Sequence, residues 1–369
     1  SERQLRSYSN IFRMKRTFGE ESFIGLLATD RRLLEGGSGS LVSTDGTFRF
    51  LKNYRFDWQM LASHTGEPND TSLTSDLEPT RFGDAGYSAS FDGEQYWGHG
   101  MYVNFTRQAE HWNFDIGYRE FTPTFRAANG FVTSNNKRHI NGGSSWTFYP
   151  NTKWFERFGV GFRARRSWNY AGEFKENYIG PYLWGRLIGQ TFVNVSYRVE
   201  KERFQDITFS GLRAWDLFLQ SNFSDMMSAS GGFTWGREIA RNEEPPIIGN
   251  SRSLFLSLDL KPVDRLIIGT SYNAFNLKNP IDNSTIHTGY ILRNRINFQF
   301  TRNLHLRLVT QYNHFDEEID VDPLLTYRIN AFSAIYLGST HDMREFEGYS
   351  NYTQTSRQYF LKVKYLFQL

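Results

Sequence analysis

The sequence predicts an all-β fold: a transmembrane, antiparallel up-and-down β-barrel of roughly 18–22 strands, with short turns at one end and longer loops at the other. Three observations predict it. Apolar and polar residues alternate along most of the chain. Aromatic residues make up 17% of the chain, although its mean hydropathy is only −0.55. The chain ends in an amphipathic segment, QYFLKVKYLFQL, at 358–369.

The composition fits this fold and excludes several others. A barrel with an apolar outer band, aromatic girdles and a polar interior has the average hydropathy of a soluble protein. No apolar run is long enough for a transmembrane helix. The absence of cysteine excludes disulfides and thiolate metal sites. The formal charge is only +3, with acids and bases mixed, so we expect no nucleic-acid partner.

The strands are predicted by a period of two residues, because successive side chains of a strand point to opposite faces. Phe56, Trp58 and Met60 alternate with polar residues at 55–59. The same alternation occurs at 158–165, 193–200, 292–300 and 304–309. No segment shows a convincing helical period.

The connections between these strands fall into two classes, short and long, that alternate along the chain. The short ones lie around 18–22, 51–53, 107–111, 150–153, 187–190, 221–225, 261–265, 300–303 and 330–333. The longer ones lie at 30–38, 65–95, 122–136, 169–174, 202–207, 239–250, 279–284, 314–322 and 342–354. Outer-membrane barrels sort their loops in this way, with short turns in the periplasm and longer loops outside. A soluble propeller or sandwich has no reason to do so.

The parity of the strands predicts that the barrel continues upstream. The connections define roughly 19 strands, and the last one ends on the short-turn side, whereas single-chain bacterial barrels usually have an even number. Either one hairpin is misplaced or at least one strand precedes Ser1. The chain has no initiator Met, which favours the second interpretation.

The alternation alone allows two orientations of the strands, with the apolar face pointing either outward or inward. In lipid a β protein must close into a barrel, with the apolar face outward and the polar face toward the lumen, whereas a soluble sandwich reverses these directions. The large number of strands, the aromatic residues near strand ends and the apolar terminal strand favour the barrel. The predicted lumen-lining basic residues are Arg49, Arg55, Arg163, Arg165, Arg198, Arg293, Arg295, Arg307, Lys362 and Lys364.

Those basic residues have two interpretations. Rings of fixed charge set pore selectivity, so they predict a lumen that favours anionic or polyhydroxy solutes. Alternatively they pair with acids and backbone groups and only stiffen the wall. At the C-terminus, Tyr365, Phe367 and Leu369 form a pattern similar to the insertion signal of outer-membrane proteins, whose usual last residue is Phe. We therefore expect the protein to lie in the outer membrane of a Gram-negative (diderm) bacterium. Its expected partners are the lipid and lipopolysaccharide of that membrane and the machinery that inserts outer-membrane proteins.

The chain contains no recognisable catalytic or cofactor motif, which predicts a protein that is not an enzyme and uses no cofactor. His287 and His314, with Asp316 and Glu317, are a remote candidate for a catalytic group at the outer rim. The acidic run at 316–322 offers Asp316, Asp320 and Asp322 as a weak candidate for Ca²⁺. It lacks the glycine and glutamate spacing of an EF-hand, so a solvated loop is the preferred interpretation and no metal is predicted.

Several stretches resemble a barrel domain of Bacteroidota and related bacteria. They are IFRMKRTFGEESFIGLLATDRR (11–32), FDGEQYWGHGMY (91–102), HWNFDIGYREFTPTFRAANGFVTSNNKR (111–138) and much of 301–369. Proteins of this family carry an N-terminal domain similar to carbohydrate-binding module family nine, then an outer-membrane barrel of unassigned function. The resemblance implies that residues 1–369 are one barrel domain that lacks upstream strands and an N-terminal periplasmic or surface domain. The resemblance identifies no catalytic residue in this chain.

Two functions remain for such a barrel. The first is a channel or transporter for small polar solutes, including anionic or glycan-type ones, since a barrel of this size is too wide for its wall side chains to fill. The second is a non-catalytic membrane anchor or a subunit of an envelope or glycan-binding assembly with periplasmic or surface partners.

Overall fold

The computed structural model describes residues 6–34, 36–75, 80–150, 152–346 and 351–366. Within these residues the chain is almost entirely β-structure, with one 3₁₀ helix at Thr71–Thr74. None of them belongs to a helix with the length and apolar character needed to cross a membrane.

Among the described residues, nineteen strands form one sheet, and two short strands, β5 and β6, form a separate hairpin. In chain order the strands are β1 (Ser7–Phe18), β2 (Ser22–Leu33), β3 (Ser38–Phe50), β4 (Tyr54–Gly66), β5 (Arg81–Phe82), β6 (Tyr87–Ser88), β7 (Gln95–Arg107), β8 (Trp112–Phe121), β9 (Lys137–Phe148), β10 (Phe155–Trp168), β11 (Phe174–Leu187), β12 (Thr191–Phe204), β13 (Ile207–Ser224), β14 (Met227–Ala240), β15 (Ile247–Val263), β16 (Leu266–Lys278), β17 (Thr285–Gln299), β18 (Leu304–Asn313), β19 (Glu318–Arg328), β20 (Ala334–Arg344) and β21 (Thr353–Lys364).

The chain divides into two compact units. The first unit comprises Ser1–Thr147, Gly161–Gly180 and Glu200–Ser210, and the second comprises Phe148–Val160, Pro181–Val199 and Gly211–Leu369. In the first unit β1, β2, β3, β4, β7, β8 and β9 pair in that order, each antiparallel to the next. In the second unit β13 to β21 do the same. This is the up-and-down order that the alternating connections predict.

Short and long connections alternate along the chain in the predicted order. The 19 strands of the sheet confirm the predicted number of strands. The long connections at 67–94 and 122–136 are also confirmed. The predicted longer loop at 202–207 is wrong, because Gln205 and Asp206 alone join β12 to β13. Both have positive φ, 46° and 60°, as in the type I′ turns whose twist matches that of a hairpin.

The predicted loop at 314–322 is also shorter, because β19 begins at Glu318. Asp320 and Asp322 therefore lie within a strand, where they alternate with Ile319 and Val321. The acidic residues conceal this two-residue period in the sequence, since β-propensity is low for Asp.

The sheet has an apolar face and a polar face. Apolar and polar residues alternate along its strands, and directly paired residues of neighbouring strands lie on the same face. In the first unit the apolar face includes Phe56 and Met60, and the polar face includes Asp57. In the second unit the apolar face includes Leu256, and the polar face includes Asp259. These two names are used below for the two sides of the sheet.

The apolar face is exposed rather than packed into a core. Met60 exposes 54% of its surface, Leu256 48% and Leu361 69%. A soluble sandwich would cover such side chains with a second sheet, so their exposure suits a lipid surrounding. The soluble sandwich considered from the sequence is therefore not the fold.

Aromatic residues line the ends of the strands on the apolar face. At the short-turn end of the first unit, a row of rings has successive centroids 5.3–6.2 Å apart. Its members are Phe50, Tyr54, Phe105, Phe114, Trp112 and Trp146. In the second unit the Trp215 and Trp235 rings stack at 6.2 Å toward the long-loop end. Such girdles mark the interfaces of transmembrane barrels.

Candidate functional site

Four of the ten predicted basic residues have carboxylate partners in the described part of the chain. The pairs are Arg49 with Glu21, Arg55 with Asp57 (2.7 Å), Arg165 with Glu176 (3.3 Å) and Arg295 with Asp259 (3.8 Å). Arg163 and Arg198 also have partners. The interpretation that these cations stiffen the wall therefore accounts for part of the set.

The other four basic residues, Arg293, Arg307, Lys362 and Lys364, have no ion pair with any residue that the structure describes. They all lie on the polar face of the second unit: Arg307 is opposite Asn297, Arg293 is opposite Gln311, and the two lysines are on β21. These side chains keep their charge available to a solute.

Glycines on the polar face make two ion pairs feasible, that of Arg13 with Asp45 and that of Arg295 with Asp259. Gly25 lies between Lys15 and Asp45 in register, and Arg13 reaches over it to Asp45, with Nη2 donating to Oδ2 at 2.8 Å. A Cβ at Gly25 would lie 2.6 Å from that Nη2 atom. Gly269 separates Asp259 from Arg295 in the same way. Glycine weakens a strand interior, so its presence here reflects a close approach of side chains.

The connection at 122–136 folds onto the polar face of the first unit. Phe125 is only 1% exposed, and a Cβ at Gly98 of β7 would lie 2.4 Å from the Phe125 Cα. Ser63 Oγ accepts a hydrogen bond from the Arg126 N–H (3.3 Å) and donates one to the Gly98 carbonyl (3.4 Å). Arg31 Nη1 donates to the Ala128 carbonyl at 3.1 Å. The sequence identified this loop by its length, but not its position over the sheet.

The connection at 67–94 packs beside it. The rings of Phe82 and Tyr87 contact Tyr96, with centroids 5.4 and 5.1 Å from it, and Tyr96 is only 4% exposed. The Arg126 guanidinium lies over the Phe82 ring at 4.6 Å and so joins the two loops. Together, the loops cover part of the polar face at the long-loop end of β2, β3, β4 and β7.

An acidic cluster lies at the base of the 67–94 connection. One carboxylate oxygen each from Glu67, Asp92 and Glu94 lies within 4.8 Å of the others. Tyr96 donates its hydroxyl hydrogen bond to Glu67 Oε1 at 3.0 Å. Burial, Glu94 and Asp92 raise the pKa of the Glu67 carboxyl.

The sequence brings together only two of the three members of this cluster. The Asp92-Gly93-Glu94 segment has the composition of a turn, and Gly93 adopts a positive φ of 89°. Glu67 is distant in sequence, and it becomes a neighbour because Gly66 pairs with Gln95 where β4 and β7 meet. The close spacing of acids on both flanks of one predicted hairpin is the clue that would have found it.

The sequence-derived metal candidates lie elsewhere and do not come together. Asp316 accepts a hydrogen bond from Asn313 Nδ2 (2.6 Å), and Asp320 accepts one from Gln311 Nε2 (3.1 Å). Asp322 follows on β19. Within the described ranges the three-carboxylate group is the one at Glu67, Asp92 and Glu94.

The candidate histidines of the outer rim make aromatic contacts. The His287 ring stacks on Phe315 at 5.0 Å, and the His314 ring contacts Tyr290 at 4.9 Å. Neither ring forms an ion pair with Asp316 or Glu317 in the described residues. His314 Nδ1 is buried and has no hydrogen-bond partner among the described residues.

The C-terminal strand has the predicted two faces. Tyr359, Leu361 and Val363 are exposed by 61–69%, and Lys362 and Lys364 lie on the other face, opposite Tyr336 and Ala334. Tyr365 is exposed, whereas Phe367 and Leu369 lie outside the described residues. The insertion pattern therefore remains a prediction.

The antiparallel up-and-down sheet, the exposed apolar face and the aromatic rows define an outer-membrane β-barrel. Solved barrels of this class are similar to the chain. A mutant of the ferric enterobactin receptor of Pseudomonas aeruginosa matches with a TM-score of 0.61 and 9% identity, over 96% of this chain and 69% of the receptor.

Two further structures have the same fold. The siderophore receptor PirA of Acinetobacter baumannii matches with a TM-score of 0.59 and 9% identity, over 98% of this chain and 71% of PirA. FpvA of P. aeruginosa, bound to a heterologous pyoverdine, matches with a TM-score of 0.57 and 10% identity, over 97% of this chain and 62% of FpvA. No protein-family model matches the chain, and no curated protein matches it.

Proposed function

We propose that this outer-membrane barrel is a channel or transporter for small polar solutes, and that its polar face lines the solute path. One observation carries the proposal: four basic residues on the polar face of the second unit have no ion pair in the described part of the chain. A fixed positive charge beside a water-filled path attracts anions and repels cations. The preferred solutes are therefore anionic or rich in hydroxyl groups.

The loops of the first unit support a restricted path. The connections at 67–94 and 122–136 lie over the polar face, where they would narrow the lumen at its outer end. The structural neighbours named as siderophore receptors have barrels of the same fold, which is compatible with passage or uptake of a solute. The proposal requires no catalytic group.

Conductance in planar bilayers tests this proposal. With the folded chain in a KCl gradient, the reversal potential should show that anions permeate better than cations. Arg293→Gln combined with Arg307→Gln should lower the anion-to-cation permeability ratio, by up to about fivefold per charge because a unit charge at 4 Å in water contributes about 1 kcal/mol. Arg252→Gln is the matched control, because Arg252 pairs with Trp235 on the apolar face. Absence of any conductance would contradict an open channel, and equal selectivity in all variants would contradict a solute path lined by these charges.

The second function, a non-catalytic anchor or assembly subunit, depends on the resemblance to the barrels that follow carbohydrate-binding-like domains. It predicts that the barrel is closed to ions and is isolated from native membranes with a periplasmic or surface partner. A conducting barrel that is isolated alone and retains no glycan favours the channel.

A further inference from the structure

Among the described residues, the acidic cluster of the first unit has no ion-pair partner. Glu67, Asp92 and Glu94 form no salt bridge with any described cation. The nearby Arg126 directs Nη1 to the carbonyls of Pro123 and Phe125 instead. Three carboxylates within 4.8 Å repel one another, so their proximity requires a compensating interaction.

Glu67 gives a second, separate observation. Its residue surface is only 8% exposed, and Oε2 is buried without a hydrogen-bond donor among the described residues. Oε1 is already used by the Tyr96 hydroxyl. A buried carboxylate oxygen without a partner loses its hydration and gains no hydrogen bond in exchange. Native structures rarely leave such an atom uncompensated.

The other two carboxylates are held in place and keep coordinating capacity. The Ser88 N–H donates to Glu94 Oε2 at 2.6 Å, and the Ser88 hydroxyl donates to Asp92 Oδ2 at 3.2 Å. The Glu67 N–H donates to the Glu94 carbonyl at 2.9 Å, which fixes the two ends of the connection against each other. Because a carboxylate oxygen has two lone pairs, these bonds leave room for a cation.

We propose that Glu67, Asp92 and Glu94 bind a divalent cation, Ca²⁺, which clamps the two ends of the 67–94 connection over the polar face. Ca²⁺ takes carboxylate oxygens at 2.3–2.6 Å, so oxygens on opposite sides of one ion lie about 5 Å apart, and its geometry is flexible. Mg²⁺ requires a smaller octahedral shell and keeps its water more firmly. The ion supplies the missing partner of Glu67 Oε2 and holds the aromatic contacts between Phe82 and Tyr96 in place.

Calorimetric titration of the EDTA-treated, detergent-folded chain with CaCl₂ tests the site directly. We expect one Ca²⁺ per chain, weaker binding of Mg²⁺, and an affinity loss of about tenfold or more in Glu67→Gln, because charge count sets the affinity of Ca²⁺ sites. Asp92→Asn is the second variant, and it disturbs packing least because Asp92 is exposed. Asp282→Asn is the control, since Asp282 lies in a loop of the second unit and accepts the Ser284 N–H (2.9 Å) and hydroxyl (2.7 Å).

Limited proteolysis gives a readout that does not depend on the variants. Ca²⁺ should protect the 67–94 connection of the unmodified chain, and EDTA should reverse the protection. In EDTA, Glu67→Gln should be cleaved more slowly than the unmodified chain because one repelling charge is gone. Failure of the unmodified chain to bind Ca²⁺, or equal binding by Asp92→Asn and Asp282→Asn, would overturn the site.

Discussion

At the scale of single residues, glycines decide where loops and charges contact the polar face. Gly98 and Gly39 are positions where a side chain would overlap the 122–136 connection, with Cβ distances of 2.4 Å to Phe125 and to Ala128. Gly25 and Gly269 leave space for ion pairs that cross a whole strand. Their role is to allow close approach, because none of these four has a positive φ.

Gly98→Ala should displace the 122–136 connection from the polar face. The new Cβ meets backbone atoms of Thr124 and Phe125, which cannot rotate away as a side-chain end can. Overpacking of this kind costs about 1–3 kcal/mol, so we expect faster proteolysis of the connection and a larger single-channel conductance. Gly232→Ala is the matched control, because a Cβ there lies 3.6 Å from its nearest neighbour.

A Gly98→Ala chain with unchanged proteolysis and conductance, beside an unchanged control, would show that the connection does not restrict the path. A change of equal size in both variants would show a general effect of alanine in strands instead.

The sequence predicts residues on one face of a strand better than residues brought together by a loop. The polar-face position of Lys362 and Lys364 follows from the alternation alone, and the structure places both opposite residues of β20. The partnership of Glu67 with Asp92 does not follow, because it depends on how a long connection closes. The function of Gly98 was equally hidden, since a strand glycine has several causes.

At the scale of elements, β1 is the first strand of the sheet and pairs with β2 over all twelve of its residues. β2 is the strand in register with β1 among the described residues, and all twelve residues of β1 are exposed. Backbone N–H and C=O groups at a free edge cost several kcal/mol each in lipid. Because the strand number is odd, we propose that a strand upstream of β1 completes the barrel and pairs with its other edge.

Hydrogen exchange on two chains tests this expectation. Amides of β1 should exchange rapidly in a chain of residues 1–369 and become protected when the natural upstream segment is included. Amides of β2 should be protected in both chains, because β2 pairs with β1 and β3. Equal exchange of β1 in the two chains would contradict an upstream partner.

Loop lengths show where prediction from sequence ends. The order of short and long connections is recovered because turn residues interrupt the alternation. The tight turn at Gln205 and Asp206 was overestimated, because charged strand ends at Lys201 and Glu202 look like loop residues. The early start of β19 was missed for the same reason, since acids on a polar face resemble a solvated loop.

At the scale of the whole molecule, the surroundings of the two faces are the central question. We propose that the apolar face meets lipid and that the polar face borders a water-filled path, so that side chains one position apart lie in different solvents. The barrel fold was predictable because this alternation continues over the whole chain, whereas the solute was not, because it depends on the distances between charges from different strands. The absence of cysteine from the chain allows the claim to be tested one position at a time.

The most direct measurement is the reactivity of single cysteines placed on adjacent positions. The substitutions are Gln59→Cys and Met60→Cys on β4, and Leu256→Cys and Ser257→Cys on β15. In proteoliposomes, Gln59→Cys and Ser257→Cys should react with a small, charged, water-soluble thiol reagent. Met60→Cys and Leu256→Cys should react only with a lipid-soluble reagent. Reaction of all four positions with the water-soluble reagent, or the opposite alternation, would contradict the membrane-spanning barrel with a polar path.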